Sequence, residues 1–132
     1  MPFNVHCGDT FLINYPNHPN EHLFVIITQI DSKTGLFVVV SIETASNKRS
    51  ENTVFLLPGD HPFIRHRSSV AYRMATTMDV ARLAQMVACG QAIPREHMNI
   101  EIVKRITDGL LSSKSTPNHI KEYFRESAWP LE

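Results

Sequence analysis

The sequence lacks the features that define several large classes of protein. Its longest apolar runs, Leu23–Ile27 and Leu36–Val40, stop after five residues, whereas a membrane-spanning helix needs roughly 20. The start of the chain has no basic segment followed by an apolar stretch, so we expect no signal peptide. These two absences predict a soluble, cytoplasmic protein with no membrane partner.

The chain also has few cysteines and no formal net charge. Cys7 and Cys89 are the two cysteines, and their wide separation indicates neither a disulfide framework nor a zinc knuckle. The 13 basic side chains balance 13 acidic ones, so the chain lacks the basic field that general nucleic-acid-binding domains usually present. The cysteine spacing therefore predicts no structural metal site, and we also expect no cofactor.

The composition is otherwise that of an ordinary folded chain. Hydrophobic residues make up 42% and charged residues 20%, which excludes the polar, highly charged composition of disordered proteins. A chain of 132 residues can bury roughly two-thirds of the surface that it exposes when unfolded. We predict one domain over residues 1–132, with a β part at 1–75 and a helical part at 76–132.

The β part contains short runs of β-forming residues separated by turn residues. The five predicted strands are Asp9–Tyr15, His22–Ile30, Leu36–Ile42, Asn52–Leu57 and Ser68–Arg73. The second and third are almost continuously apolar, which favours a central position, and the five residues between them end in Gly35, as a hairpin loop often does. Five short strands without an intervening helix favour a small antiparallel barrel.

The apolar period changes to that of a helix after Thr76. Thr76 and Asp79 have the spacing of a capping box, and Gly90 is a typical end for the first helix. We predict a second helix from near Pro94 and a third from Thr116-Pro117, where threonine would cap the helix and proline would occupy its first turn. The predicted fold class is α+β: a small five-stranded antiparallel barrel followed by about three C-terminal helices.

Four segments of the β part follow a pattern known from another group of proteins: Gly8-Asp9 at the first strand and the segments 22–28, 38–44 and 53–56. In these segments the chain resembles the opening of the MazF/PemK family of toxin endoribonucleases. That family has an SH3-like barrel, forms homodimers, is bound by an antitoxin protein, and cleaves single-stranded RNA without a metal. The resemblance implies the same fold, partners and activity for this chain.

Two residues match family positions that act on the substrate. His22 stands where the family has its catalytic arginine, and Leu23 replaces the proline that follows it. A histidine can act directly as a general base near neutral pH, so this departure would change the chemistry. Thr44 matches the family's threonine, whose hydroxyl binds a nonbridging phosphate oxygen. We therefore predict catalytic roles for His22 and Thr44.

A dense polar cluster follows the Pro58-Gly59 turn. It contains His61, Arg65, His66, Arg67, Ser68 and Ser69. Two imidazoles can divide into a base for the 2′-hydroxyl and an acid for the leaving oxygen, while a guanidinium holds the phosphate. We predict that His61 and His66 are catalytic and that Arg65, Arg67, Ser68 and Ser69 bind substrate. Lys48 and Arg49 are further candidates for phosphate contacts.

Two other functions are compatible with the sequence. Loss of the family's Arg-Pro pair favours a non-catalytic binding module on the same barrel. Alternatively, Asp60, His61 and His66 together with His22 could hold a metal ion in a hydrolase, although a separation of five positions between His61 and His66 is not a recognised zinc spacing. The sequence leaves both alternatives open.

Overall fold

The computed structural model describes residues 4–14, 21–45 and 52–126. Within these residues, six strands and three helices follow one another along the chain. They are β1 (Thr10–Ile13), β2 (His22–Ile26), β3 (Leu36–Thr44), β4 (Phe55–Leu56), β5 (Ser68–Asp79), α1 (Val80–Ala88), β6 (Ala92–Arg95), α2 (Ile100–Ser112) and α3 (Asn118–Glu126). The predicted contacts of Lys48 and Arg49 lie outside the described residues.

The strands form a single curled antiparallel sheet with the order β4-β5-β3-β2-β1-β6. The α+β class is as predicted, and the sheet curls into a half-barrel. The predicted number of five strands is wrong, because Ala92–Arg95 adds a sixth strand beside β1. The described sheet begins at β4 and ends at β6.

The predicted central hairpin is confirmed. β2 and β3 pair antiparallel in the middle of the sheet. The loop between them is closed by hydrogen bonds from the Asp31 N–H to the Leu36 carbonyl and from the Gly35 N–H to the Asp31 carbonyl, at 2.9 and 2.7 Å. Gly35 has a φ of 75°, a conformation that glycine adopts without steric cost.

Both faces of the sheet are covered by apolar packing, which explains the continuous apolar runs of β2 and β3. On one face, Leu23 and Val25 pack with buried residues of α2 and α3, such as Ile106 and Ile120. On the other face, Phe24 and Ile26 belong to a second cluster with Leu83 and Met86 of α1. Successive side chains point to opposite faces of a strand, so one run supplies both clusters.

The transition from strand to helix occurs later than the sequence predicts. Thr76 and Asp79 were expected to form a capping box, but β5 continues through both residues and pairs with β3, with Thr76 opposite Val39. Asp79 is itself the N-cap of α1, and its side chain accepts the Arg82 N–H at 2.7 Å. The β-branched threonines fit a strand well, and pairing with a long neighbour decides their conformation. Gly90 follows α1 with a φ of 83°.

The second helix also begins later than predicted, because Pro94 lies in β6. Pro94 pairs with Phe11 at the edge of the sheet, the position where a strand tolerates a residue without an N–H. Asn99 caps α2 instead, accepting the Glu101 N–H at 2.8 Å.

The predicted third helix is present with a different start. The Thr116 hydroxyl does not cap α3 but donates to the Leu110 carbonyl at 2.7 Å. The carbonyl of Pro117 accepts the first helical N–H groups, from Ile120 and Lys121. Among the described residues, no helix is both long and apolar enough to cross a membrane.

Candidate functional site

A cleft of about 570 Å³ opens at one end of the sheet. The strands contribute His22 at the start of β2, Glu43 and Thr44 at the end of β3, and Ser68 at the start of β5. The loop before β5 contributes residues 62–66, and β6 contributes Arg95. The cleft therefore combines polar strand ends with a loop that carries Arg65 and His66.

Antiparallel pairing brings the strand ends together. Leu23 pairs with Ile42, so His22 and Glu43 lie at the same end of neighbouring strands. Thr44 pairs directly with Ser68, which brings the start of β5 to the same end of the sheet. The loop that precedes Ser68 carries Arg65 and His66 along the same cleft. The predicted site residues that line the cleft are thus His22, Thr44, Arg65, His66 and Ser68.

His61 is not among the cleft-lining residues. It is 2% exposed, and its Nδ1 accepts the Phe63 N–H at 3.0 Å. Its Nε2 lies 2.6 Å from the Glu96 carbonyl oxygen and 3.2 Å from Thr10 Oγ1. Because Nδ1 acts as an acceptor, these partners assign the ring proton to Nε2, which donates to the carbonyl. Both ring nitrogens are therefore engaged in holding the loop, and we assign His61 no proton transfer to a substrate.

Two other predicted residues also lie away from the cleft lining. The Arg67 guanidinium stacks over the Phe55 ring, 3.8 Å from its centroid. Ser69 is completely buried, and its hydroxyl has no hydrogen-bond partner among the described residues. Ser68, by contrast, lines the cleft and donates its hydroxyl to the His66 carbonyl at 2.9 Å.

The structure adds three charged residues that the sequence analysis missed: Glu21, Glu43 and Arg95. Both terminal nitrogens of Arg73 donate to the Glu43 carboxylate, at 2.9 and 2.6 Å. This bidentate ion pair offsets the negative charge of Glu43. Arg95 was missed because its segment was predicted to be helical. For Glu43 the sequence did contain a local indication, because this residue directly precedes the predicted site residue Thr44.

Arg95 faces an aromatic ring in the cleft. Its guanidinium carbon lies 5.6 Å from the centroid of Phe63, within the range of a cation–π contact. Its Nε donates to Glu96 Oε1 at 3.0 Å. The pKa of the Glu96 carboxyl lies below its ordinary value, because the backbone N–H of Glu96 and then the Arg95 side chain hydrogen-bond to the carboxylate. The carboxylate therefore stays ionised beside Arg95.

The metal-dependent alternative finds no support in the part of the chain that the structure describes. There, no group of three or more His, Cys, Asp and Glu side chains is placed to hold a metal ion. Asp60 accepts the Leu57 N–H at 2.8 Å and lies 3.7 Å from Arg105, while His61 is buried in its own network. The four proposed ligands therefore do not form one site.

Comparison with known proteins assigns no family. No protein-family model matches the chain, and no curated protein matches it significantly. The resemblance to MazF/PemK toxins therefore stands on the sequence pattern alone, and function has to be argued from the cleft.

Proposed function

We propose that the protein is a metal-independent endoribonuclease of the MazF/PemK type that cleaves single-stranded RNA in this cleft. The observation that carries the proposal is that two histidines, His22 and His66, line one cleft with two arginines, Arg65 and Arg95. In phosphodiester cleavage without a metal, imidazoles can transfer the protons and guanidiniums can bind the phosphate. Thr44 and Ser68 add hydroxyl groups beside them.

The proposed reaction is an internal displacement at phosphorus. One histidine removes the proton from a 2′-hydroxyl, and that oxygen forms a bond to the adjacent phosphorus. The bond from phosphorus to the 5′-oxygen breaks, and the second histidine donates a proton to this leaving oxygen. Arg65 holds the phosphate, and the Thr44 hydroxyl donates to a nonbridging oxygen. The products are a 2′,3′-cyclic phosphate and a 5′-hydroxyl.

The proposal extends to assembly and cellular role. We propose that the half-barrel is of the SH3-like type, that the protein forms a homodimer, and that a cognate antitoxin protein is its regulatory partner. We also propose that it acts in the cytoplasm, where its RNA substrate is found. These features are those that the family resemblance implies.

The activity can be tested with a labelled single-stranded RNA in buffer containing EDTA. We expect the wild-type protein to cut, with a bell-shaped pH dependence because one histidine must be unprotonated and the other protonated. His22→Ala and His66→Ala should each lower the rate by roughly 10²–10⁴, the usual contribution of a proton-transfer group. Arg65→Ala should weaken RNA binding and flatten its dependence on salt.

His119→Ala is the matched control, because His119 is an exposed histidine on α3 that does not line the cleft. Its rate should equal that of the wild type. Equal cutting by all three histidine variants would refute the mechanism. Loss of cutting in EDTA would favour a metal-dependent hydrolase, and RNA binding without cutting would favour the binding module.

A further inference from the structure

One wall of the cleft pairs an aromatic ring with a guanidinium. Phe63 comes from the loop before β5, and Arg95 comes from β6. Part of Phe63 packs against the buried core, while the residue also lines the cleft. The Arg95 guanidinium carbon lies 5.6 Å from the centroid of the Phe63 ring. Flat, cation-bearing walls of this kind are surfaces on which unpaired nucleobases stack.

A hydrogen-bond network around the buried His61 side chain holds this wall in place. The Phe63 N–H donates to Nδ1 of the His61 imidazole, and Nε2 of that imidazole donates to the Glu96 carbonyl. The side chain of Glu96 in turn accepts from Arg95 Nε. Thr10 donates its hydroxyl to the same Glu96 carbonyl at 2.6 Å. Phe63 and Arg95 are therefore both anchored to the pair His61 and Glu96, although they lie 32 positions apart in the sequence.

We infer that Phe63 and Arg95 form a nucleobase-stacking subsite, and that His61 is the positioning residue that holds it. This inference rests on the proposed function, since the base belongs to the RNA strand whose phosphate Arg65 binds in the same cleft. Stacking requires a base that is not paired, so the subsite selects single-stranded over double-stranded substrate. It accepts any base, because every base presents a flat face.

The chain contains a matched control pair outside the cleft. Arg67 stacks over Phe55 of β4 with a centroid distance of 3.8 Å, and neither residue lines the cleft. Phe55→Leu and Arg67→Ala therefore each remove an equivalent contact between an arginine and a phenylalanine ring, but outside the cleft. Phe63→Leu removes the ring but keeps apolar bulk against the core, and Phe63→Tyr keeps a ring able to stack.

The test measures binding of an RNA that cannot be cut. The probe is a fluorescent oligonucleotide of mixed sequence with 2′-O-methyl groups, which block the attacking oxygen, and its partner is an abasic oligonucleotide of equal length. Fluorescence anisotropy at one fixed salt concentration gives both affinities. We expect the wild type to bind the base-containing probe more tightly than the abasic one. The affinity of Phe63→Leu for the base-containing probe should be about 5- to 150-fold lower than that of the wild type, the range for one base stacked on an aromatic ring. Its affinity for the abasic probe should equal that of the wild type.

Phe63→Tyr and Phe55→Leu should keep the wild-type preference for bases. His61→Ala should lose part of it, and Arg95→Lys should lose stacking while keeping the charge that attracts the backbone. Circular dichroism and thermal unfolding would verify that each variant is folded. An unchanged preference in Phe63→Leu, or an equal loss in Phe55→Leu, would overturn the inference, as would a wild type that binds neither probe.

The inference and the proposed function fail in different ways. If the wild type cuts natural RNA but Phe63→Leu leaves base-dependent binding unchanged, the subsite is wrong and the nuclease stands. If Phe63 determines base-dependent binding but natural RNA is not cut, the subsite stands and the protein is a single-strand-binding module.

Discussion

At the scale of single residues, His61 and His66 show how similar side chains a few positions apart take different roles. His61 is buried, and both of its ring nitrogens form hydrogen bonds within the protein, to backbone groups and to Thr10. His66, by contrast, is exposed and lines the cleft. A buried polar group needs partners, and a loop that surrounds a ring can supply them. Sequence spacing alone could not separate the two, because two of the three partners of His61, Glu96 and Thr10, lie 35 and 51 positions away.

Cys7 carries a prediction for alkaline pH. Burial, followed by the charge of Asp9, raises the pKa of the Cys7 thiol to about 11 from an ordinary value of 9.0. Between these two pH values the unfolded chain has lost the thiol proton while the folded protein retains it. Fewer protons bound in the unfolded state mean that the free energy of unfolding falls as pH rises through this window. We expect Cys7→Ala to show a shallower fall, measured by urea unfolding at pH 8, 9 and 10.

Cys89 provides the control for this prediction. It is the exposed cysteine at the end of α1, and Cys89→Ala should leave the pH slope of the wild type unchanged. Iodoacetamide at pH 8 should modify Cys89 well before Cys7, because the thiolate is the reactive form. Equal pH slopes in wild type and Cys7→Ala would contradict the assignment.

At the scale of elements, pairing with neighbours overrides local propensity in two places. Thr76–Asp79 has a helix-start pattern, yet it extends β5 opposite β3. Pro94 has the position of a first helical residue, yet it pairs with Phe11 in β6. In both places a strand partner distant in the sequence supplies hydrogen bonds and packing that a short window cannot reveal.

The contact between α2 and the sheet gives a second prediction. Gly109 is buried in α2, and a Cβ there would overlap the Tyr72 hydroxyl and approach Val54. The Tyr72 hydroxyl is fixed by donating to the Ile106 carbonyl at 2.7 Å. Gly109→Ala would gain about 1 kcal/mol of helix propensity and lose about 1–3 kcal/mol to overpacking. We expect a net loss of about 1 kcal/mol in the free energy of unfolding.

Chemical denaturation of Gly109→Ala and of Ser112→Ala would test this balance. Ser112 lies on the exposed side of the same helix, so its replacement should change the free energy of unfolding by less than about 0.5 kcal/mol. A Gly109→Ala variant more stable than the wild type would show that Tyr72 moves without cost.

At the scale of the whole molecule, the described sheet has two edges, β4 and β6. Exposed apolar side chains accompany both: Ile93 within β6 is 43% exposed, and Leu57 just after β4 is 54% exposed. Unpaired strand edges with apolar side chains favour association. For the homodimer that we propose, light scattering at micromolar concentration should give about 30 kDa, twice the 15.0 kDa of the chain.

Charged substitutions would identify the edge that is used. Ile93→Lys should dissociate a dimer formed through β6, and Leu57→Lys one formed through β4, since lysine at an edge disfavours strand pairing. A wild-type mass near 15 kDa would exclude the homodimer.

Much of the architecture follows from the sequence by itself. The apolar β-branched runs predict that β2 and β3 are central strands, and Gly35 with its neighbours predicts a hairpin between them. The apolar periods of residues 80–87, 102–110 and 120–124 predict the three helices. These features depend on residues close together in the chain, for which burial period and turn chemistry are sufficient. Arg65, His66 and Ser68 could likewise be named from residue type and position, whereas His22 and Thr44 were predicted from the resemblance to the MazF/PemK family.

Which of the polar residues share a surface depends on contacts between distant parts of the chain. Strand register brought His22, Thr44 and Ser68 to one end of the sheet, and β6 added Arg95, which pairs with Thr10 85 positions away. The fold also buried His61 and Ser69 and turned Arg67 onto Phe55. The physical reason is that register and burial depend on partners distant in the chain, whereas propensity and period are properties of a short window.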